Sequence, residues 1–487
     1  MEQMRTFRIT ALVFLVFSLL FAAGGTVAAQ SKKEQKQAKN LAEQAEKSYD
    51  QKNFRLAVDQ FAQSLAIVAT NPDAHFTKGM SHHLLKEDDQ ALSEFDTALK
   101  QGFKRPLDVY LVRWEIYAAK NNMDAALADL TQALALDPQN PKLLLALGNF
   151  NLDKGSFDNA ADAYQKASLR LPNNPEPYLG IAKAKYALGD DASGQLAAAE
   201  NALKRGTQNY GEAHFLMGDA LQKLGKIDEA LESYKKAITA DVNTFDAYTN
   251  MGEIYRAAGR YDEAIDITRK GLAAVNLKME QVTKSSPAQP EQLEVLKTKA
   301  AALYTDASWY YSLGDHPEDA VQSALAAIRL RSDEAAAHTN LCRAYNDLNK
   351  PEMAVTACNN AIKIAPGDGE TLFYLGRAYD MAGRKADATR AYKGAVIGLV
   401  EFTQKNPTYS DGFYLLGNAY YSDNQPEKAI AAYQKCLELS PRFARARFNL
   451  GYILNNQKNK TAALEQYNSL LQLDPTLAAK LKAEIDK

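Results

Sequence analysis

Small apolar residues recur along this chain at a nearly constant interval, between stretches of polar positions. The most regular series comprises Ala57, Ala91, Ala126, Ala160, Ala230, Ala264, Ala320, Ala354, Ala388, Ala429 and Ala463. Most neighbours in it are 34 or 35 residues apart, and a second small residue stands twelve positions before nearly every member, as Gly376 does before Ala388. Apolar residues around them recur at helical spacings, which predicts helix pairs whose backbones approach closely. The pattern predicts an all-α solenoid of antiparallel helix pairs.

The repeated units also resemble a known family. The segments MGEIYRAAGRYDEAIDITRKGL from Met251 and LGRAYDMAGRKADATRAYKGAV from Leu375 are similar to tetratricopeptide repeats. In one unit the family's small, aromatic and turn positions fall on Gly376, Tyr379, Gly383, Ala388, Tyr392 and Ala395. The resemblance covers residues 41–475 and implies a right-handed superhelical solenoid of about twelve repeats, of the exported bacterial type. It specifies the fold far more closely than the function.

Three irregularities interrupt the period. The interval of 70 residues between Ala160 and Ala230 implies a degenerate unit, from Pro175 to Gly206, whose second helix lacks an alanine in register. The missing alanine reflects either sequence drift or a functional kink in the solenoid. Longer intervals place insertions near residues 273–300 and 396–408. The first is expected to form a protruding helical hairpin, which is either a docking knob for a partner or a tolerated edge insertion.

Charge argues against one class of partner. The chain has 57 basic and 59 acidic residues, and its pI is about 6.4. Such a balance creates no long-range field that would attract nucleic acid or an anionic membrane. We therefore expect no nucleic-acid partner.

The N-terminus predicts export. Arg5 and Arg8 precede an apolar run over residues 9–23, and Val27 and Ala29 occupy the small positions of a cleavage site. Residues 1–29 are thus expected to be a cleaved signal peptide, followed by a polar linker over residues 30–40. The alternative is an uncleaved anchor over residues 9–29. Either places the repeats outside the cytoplasm, in the periplasm or secreted, and residues 476–487 are expected to cap the solenoid as a last helix.

The three cysteines occupy core positions of the repeat. Cys342 takes a small-residue position, Cys358 an aromatic position and Cys436 an alanine position. We expect them to act as small buried hydrophobic residues. A disulfide between Cys342 and Cys358 is the alternative, because both helices belong to one pair.

No motif for catalysis or cofactor binding stands out in the sequence. Glycine clusters fall at turns of the repeat, and no phosphate-binding loop or nucleophile elbow is evident. His75 and His82 share a helical face but are about 10 Å apart along the axis, too far for one metal ion. We expect neither a cofactor, nor a metal, nor catalysis.

One stripe of each first helix is expected to line the concave groove. When the first small residue of a repeat is numbered eight, positions two, five, nine and twelve lie opposite the buried positions four, seven, eight and eleven. In proteins with this repeat that stripe usually binds peptides. Positions five, nine and twelve of the last four repeats are Thr339, Arg343, Asn346, Phe373, Arg377, Asp380, Tyr414, Asn418, Tyr421, Phe448, Tyr452 and Asn455. All but Thr339 are our candidate peptide-binding residues, since aromatic and arginine side chains often dominate binding at interfaces.

Two specialised subfamilies do not fit. Chaperone-binding members need a lysine where Tyr414 and Phe448 stand, and the asparagine ladder of glycosyltransferase arrays is broken at Leu216, Tyr374 and Leu415. We therefore expect an exported scaffold that binds a protein or peptide partner of unknown identity in its groove, without catalysis. The alternatives are a non-catalytic subunit of a cell-envelope assembly or polysaccharide-export machine, and, less favoured, an enzyme of unknown type.

Overall fold

A computed structural model describes residues 31–285 and 289–487 of the chain. The predicted signal peptide and the alternative anchor lie outside these residues. Within them the regular structure consists of α-helices, which confirms the all-α prediction. No helix in these two stretches is both long enough and apolar enough to cross a membrane.

The chain divides into two compact units, at Leu188 and Gly189, and each is described by itself. The helices of the first unit are α1 (Lys32–Asp50), α2 (Phe54–Ile67), α3 (Pro72–Leu84), α4 (Asp88–Lys100), α5 (Pro106–Ala119), α6 (Met123–Leu136), α7 (Pro141–Asp153), α8 (Phe157–Arg170) and α9 (Pro175–Leu188). Each helix packs on the next in sequence, as a solenoid requires.

The second unit has sixteen helices. They are α10 (Ala192–Lys204), α11 (Tyr210–Lys223), α12 (Ile227–Ala240), α13 (Phe245–Ala257), α14 (Tyr261–Lys284), α15 (Pro290–Leu313), α16 (Pro317–Leu330), α17 (Ala335–Asp347), α18 (Pro351–Ile364), α19 (Gly369–Met381), α20 (Lys385–Lys405), α21 (Ser410–Ser422), α22 (Pro426–Leu439), α23 (Ala444–Asn456), α24 (Lys460–Leu473) and α25 (Pro475–Ile485). Taken in pairs from α1, the helices agree with about twelve repeats. Repeats seven to twelve begin with α13, α15, α17, α19, α21 and α23.

Each repeat packs an aromatic ring against its small residue. A Cβ added to Gly376 of α19 would lie 2.5 Å from the ring of Tyr392 in α20, and Gly417 has the same relation to Tyr433. The turn between α19 and α20 contains Gly383 with a φ of 74°, a left-handed conformation that glycine adopts without strain. The repeat therefore uses its glycines for close approach and for the turn.

The expected linker is wrong for residues 32–40, which belong to α1. Ser31 and Glu34 form a capping box, in which the Glu34 amide donates to Ser31 Oγ at 3.2 Å and the Ser31 amide donates to Glu34 Oε2 at 2.9 Å. Ala38 is buried, and its carbonyl accepts from Ser64 Oγ at 2.7 Å. The cap and this contact extend the helix into a polar segment.

The insertions lengthen helices. α14 and α15 have 24 residues each and pack along their length through Val275, Val282, Leu296 and Leu303. Of the second insertion, residues 396–405 continue α20. The degenerate unit contributes α9 to the first compact unit and α10 to the second, where buried Gln195 donates to Leu216 O at 2.8 Å.

The cysteines follow the alternative arrangement. Cys342 and Cys358 form a disulfide between α17 and α18, with their Cα atoms 5.2 Å apart. Cys436 is a free, buried thiol, as expected of a small hydrophobic residue.

Candidate functional site

The first helices of repeats seven to twelve surround one cavity of about 1240 Å³. Its wall contains residues of the predicted stripe, among them Arg343, Arg377 and Tyr414. The wall also includes turns that precede first helices, such as residues 365–368. We call this space the groove cavity.

Two long-range contacts close the groove on itself. Arg256 Nη1, in the last turn of α13, donates to Asp411 Oδ1 at 3.1 Å and Oδ2 at 3.2 Å, in the first turn of α21. Arg445 Nη2 of α23 donates to the carbonyl of Leu313, the last residue of α15, at 2.7 Å. Each contact joins first helices four repeats apart. We call the two contacts together the clasp.

A ladder of cations and aromatic rings follows the groove. The guanidinium of Arg256 lies 4.4 Å from the ring centroid of Trp309, and Arg343 lies 5.8 Å from the same ring. Arg343 and Arg377 lie 4.7 and 5.9 Å from the ring of Tyr374. Contacts of this kind are strongest where the cation is desolvated, as Arg256 and Arg343 are. The ladder therefore holds their guanidinium groups in fixed positions.

Carboxylates accompany the arginines. Glu253 pairs with Arg256, Glu370 with Arg343, and Asp347 lies 3.6 Å from Arg377. Burial raises the pKa of Glu370, while neighbouring Arg343 opposes this shift. Burial likewise raises the pKa of Asp347, against the effect of Arg377. The groove wall thus contains a buried ionic network, in which desolvation raises the pKa values of the carboxyl groups and ion pairing with arginine lowers them.

Two further carboxyl groups belong to this network. Burial raises the pKa of Asp411 and Arg256 opposes the rise. Asp306 of α15 has a pKa raised to about 7, first by burial and then by the charges of Glu253 and Glu334. Perturbed acids of this kind occur in catalytic sites and in structural ion-pair networks alike.

Five of the predicted site residues reach the groove cavity: Arg343, Phe373, Arg377, Tyr414 and Asn418. The expectation that Phe373 points away from the seam of its helix pair is wrong. It is only 6% exposed and packs with Tyr392 of the second helix, at 6.1 Å between ring centroids. Phe373 is a core residue at the edge of the cavity, because a large apolar ring is buried wherever the partner helix offers space.

The remaining candidates contact protein elsewhere. Asn346 is buried and donates to Tyr374 O at 2.9 Å, and Asp380 accepts from the Tyr392 hydroxyl at 2.9 Å. Tyr421 is 40% exposed, and its ring meets that of Tyr452 edge-on. Thr339, from the same stripe, exchanges a 2.6 Å hydroxyl contact with Thr371.

The last repeat lies beneath the capping helix. Asn455 Nδ2 donates to Glu484 O of α25 at 2.9 Å, and Phe448 and Tyr452 pack against a buried cluster that includes Leu481. These three candidate residues therefore contact the region of α25 and are not among the residues that line the groove cavity, since α25 occupies the place that a thirteenth repeat would take.

The sequence reasoning missed several residues of the cavity wall. Position two of the last three repeats is Glu370, Asp411 and Arg445, and repeats seven and eight contribute Glu253, Arg256, Trp309 and Ser312 at positions nine and twelve. All follow the register that located Arg343. Applying it to position two, and to two earlier repeats, would have found them.

In the described parts of the chain, no group of three or more His, Cys, Asp or Glu side chains that could hold a metal ion is brought together. His75 instead contacts Glu94 at 2.5 Å, and His82 contacts Glu87 at 2.7 Å.

Family models match much of the chain. A model described as Tetratricopeptide repeat matches residues 115–175, 304–369 and 414–478, and a second of that description matches residues 247–280. A model described as TPR repeat matches residues 218–259. The matches include the helices that form the groove cavity.

Individual relatives are distant. Protein CTR9 homolog of Arabidopsis thaliana is 24% identical over 329 residues, 66% of this chain and 28% of that protein. A UDP-N-acetylglucosamine–peptide N-acetylglucosaminyltransferase of Giardia intestinalis is 31% identical over 81 residues, 17% of this chain and 6% of that protein. The chain thus matches only a small part of either relative. A crystal structure of MamA protein is 23% identical, with a TM-score of 0.31, over 41% of this chain and 96% of that one.

Proposed function

Because the chain belongs to the tetratricopeptide repeat family, we propose that it is an exported, non-catalytic scaffold that holds an extended segment of a partner protein in the groove cavity. The repeats mark a protein-interaction scaffold. We propose three things beyond this: that the partner binds in the groove, that the protein is exported, and that it has no catalytic activity.

The groove cavity is the observation that carries this proposal. Its volume of about 1240 Å³ exceeds the roughly 300–1,000 Å³ of ordinary small-molecule pockets, as an extended peptide segment requires. Its wall combines Tyr414, Arg343 and Arg377, residue types that often dominate binding energy at protein interfaces. Ion pairs and ring contacts hold the two arginines in place before a partner arrives, which reduces the entropy lost on binding.

The clasp sets the condition for entry. A segment enters the closed groove by threading along it or after the clasp opens. We favour opening, because the Arg256–Asp411 and Arg445–Leu313 contacts are few and polar. A partner that binds the open groove more tightly than the closed one would shift the population toward the open state.

Catalysis is the less favoured alternative. The perturbed carboxylates Glu370 and Asp411 are bound to arginines, which is typical of a structural network. We therefore propose that they position the groove. Neither nucleic acid nor a cofactor is part of the proposed function.

Export is supported by the sequence of residues 1–29, with a membrane anchor over residues 9–29 as the alternative. A role as a non-catalytic subunit of a cell-envelope assembly or polysaccharide-export machine is compatible with it. Expression in a Gram-negative host, osmotic shock and N-terminal sequencing test the localisation. Release of a product that begins near Gln30 supports export, and a membrane-bound product that retains Met1 supports the anchor.

Affinity capture from envelope extract tests the groove. A variant with Arg377→Ala and Tyr414→Ala should keep its helical content and lose the partners that the parent chain retains. The matched control is Arg390→Ala with Tyr210→Ala, since both of these side chains are exposed outside the cavity. If the groove variant retains every partner and deletion of residues 276–297 abolishes capture, the docking site is the hairpin of α14 and α15.

A further inference from the structure

Two polar side chains in the wall of the groove cavity have buried donor groups without a partner. Arg343 is 6% exposed, and its Nε and Nη1 have no hydrogen-bond partner. Ser312 Oγ is also buried without a partner. Both residues line the cavity, at positions nine and twelve of neighbouring repeats. Buried polar groups in proteins are nearly always paired, so these donors point to a ligand that supplies acceptors.

The unpaired groups define the chemistry of that ligand. Across the described residues, no buried carboxylate oxygen lacks a partner. The buried part of the cavity wall therefore offers unpaired donors and no unpaired carboxylate oxygen, which favours a ligand group that supplies acceptors. A guanidinium forms its strongest hydrogen bonds with carboxylates and other oxyanions. Arginine's planar group with five donors can also bind a second carboxylate while it retains the first.

The position of Arg343 is fixed independently of a ligand. Its Nη2 donates to Glu370, and its guanidinium lies over the rings of Trp309 and Tyr374. Arg377 lies by the same Tyr374 ring, and its 3.6 Å ion pair with Asp347 is too long for a hydrogen bond. Arg377 thus adds positive charge close to Arg343 and retains hydrogen-bonding capacity.

We propose that Arg343, supported by Arg377 and Ser312, binds the carboxylate of one acidic side chain in the segment that occupies the groove cavity. This inference rests on the proposed function of the groove. Opening of the clasp gives the segment access to Arg343. Acidic residues outnumber basic ones in the cavity wall, so further negative charge in the segment would be repelled. The segment therefore carries one Asp or Glu between uncharged or basic neighbours, not an acidic run.

A peptide-library selection against the full chain tests this subsite. The library contains randomised peptides with blocked termini, so that only side chains supply carboxylates. Selected peptides should share one acidic residue at a fixed position, and its replacement by Gln or Asn should weaken binding to the parent chain roughly tenfold or more.

The same peptides are measured against Arg343→Met with Glu370→Gln, a pair of changes that leaves no unpaired buried carboxylate. The acid-to-amide change should then alter affinity by less than about threefold, which is under 1 kcal/mol. Arg343→Lys keeps the positive charge but removes the planar guanidinium. This variant should therefore lose much of the preference for the acidic peptide over its amide form. The control is Arg390→Met, on the exposed face of α20. Circular dichroism confirms that each variant is folded.

Three outcomes would overturn the inference. Selected peptides without an acidic residue, or an acid preference that survives in the double variant, would exclude Arg343 as the subsite. Stabilisation by inorganic phosphate that depends on Arg343, without any acid preference among peptides, would assign the site to a free anion. Failure to select any peptide would instead count against the proposed function of the groove.

Discussion

Arg256 and Asp411 are 155 positions apart in the sequence, yet the guanidinium of the first donates to both carboxylate oxygens of the second. Arg256 also pairs with Glu253 in its own helix and lies over Trp309. One side chain thus joins a local ion pair, the cation–aromatic ladder and the clasp. Because Arg256 is buried and Asp411 is nearly so, this ion pair is only weakly screened by salt.

Removing the Asp411 charge should loosen the clasp. We expect Asp411→Asn to weaken the clasp, because Arg256 exchanges a carboxylate that accepts at both oxygens for a neutral amide with one acceptor oxygen. Spin labels at exposed positions 262 and 442, in a Cys436→Ala background, should report a longer and broader distance distribution. The control is Glu263→Gln, which removes an exposed ion pair with Arg260. Identical distance distributions in the parent and Asp411→Asn would show that the pair does not hold the groove closed.

Gly376→Ala should destabilise the second unit although alanine is the better helix former. The added Cβ would lie 2.5 Å from the Tyr392 ring, so the helix pair must separate, at a cost of about 1–3 kcal/mol. Chemical denaturation measures the loss. Gly394→Ala is the control, since its nearest neighbour is a flexible Leu372 methyl at 3.2 Å. Equal effects of the two changes would contradict the packing of Tyr392 on Gly376.

The Cys342–Cys358 disulfide should be detectable by thiol labelling. After denaturation without reductant, exported protein should take up label at Cys436 alone, and after reduction at all three cysteines. Cys342→Ala with Cys358→Ala should lose about 3 kcal/mol, because the pair closes a loop across 16 positions. Labelling of three thiols without reductant would mean that the bond is absent.

Asp306 should make the second unit less stable as the pH rises. Its pKa is raised from an ordinary 3.8 to about 7, so the folded state favours the protonated form. The stability that this preference contributes is complete below about pH 4 and is lost as the pH rises toward 7. Asp306→Asn should therefore raise the free energy of unfolding relative to the parent, by an amount that grows between pH 4 and 7 and then levels off. A difference independent of pH would disprove the shift.

The local part of the site could be predicted from the sequence, because helical register is a local property. Counting from the small residue of each repeat placed Arg343, Arg377, Tyr414 and Asn418 on the groove wall. The clasp could not be predicted in this way. The approach of Arg256 to Asp411 depends on small rotations that accumulate over four repeats, and no single repeat encodes their sum.

Two further differences between the prediction and the structure have different causes, one local and one tertiary. The capping box of Ser31 and Glu34 was visible in the sequence, and it shows why α1 begins well before residue 41. The covering of Phe448 and Tyr452 depends on how α25 docks. A short terminal helix can pack on the last repeat or extend into solvent, and the spacing of its residues does not distinguish the two.

The clasp changes how this array should come apart. In a solenoid whose repeats touch only their neighbours, terminal repeats fray first and unfolding proceeds inward step by step. Here repeats seven and eight are tied to repeats eleven and twelve, so those at the C-terminal end cannot detach without breaking the clasp. Repeats seven to twelve should therefore melt cooperatively, as one block, and fold more slowly than an open array because the contacts that close it span more than 130 positions.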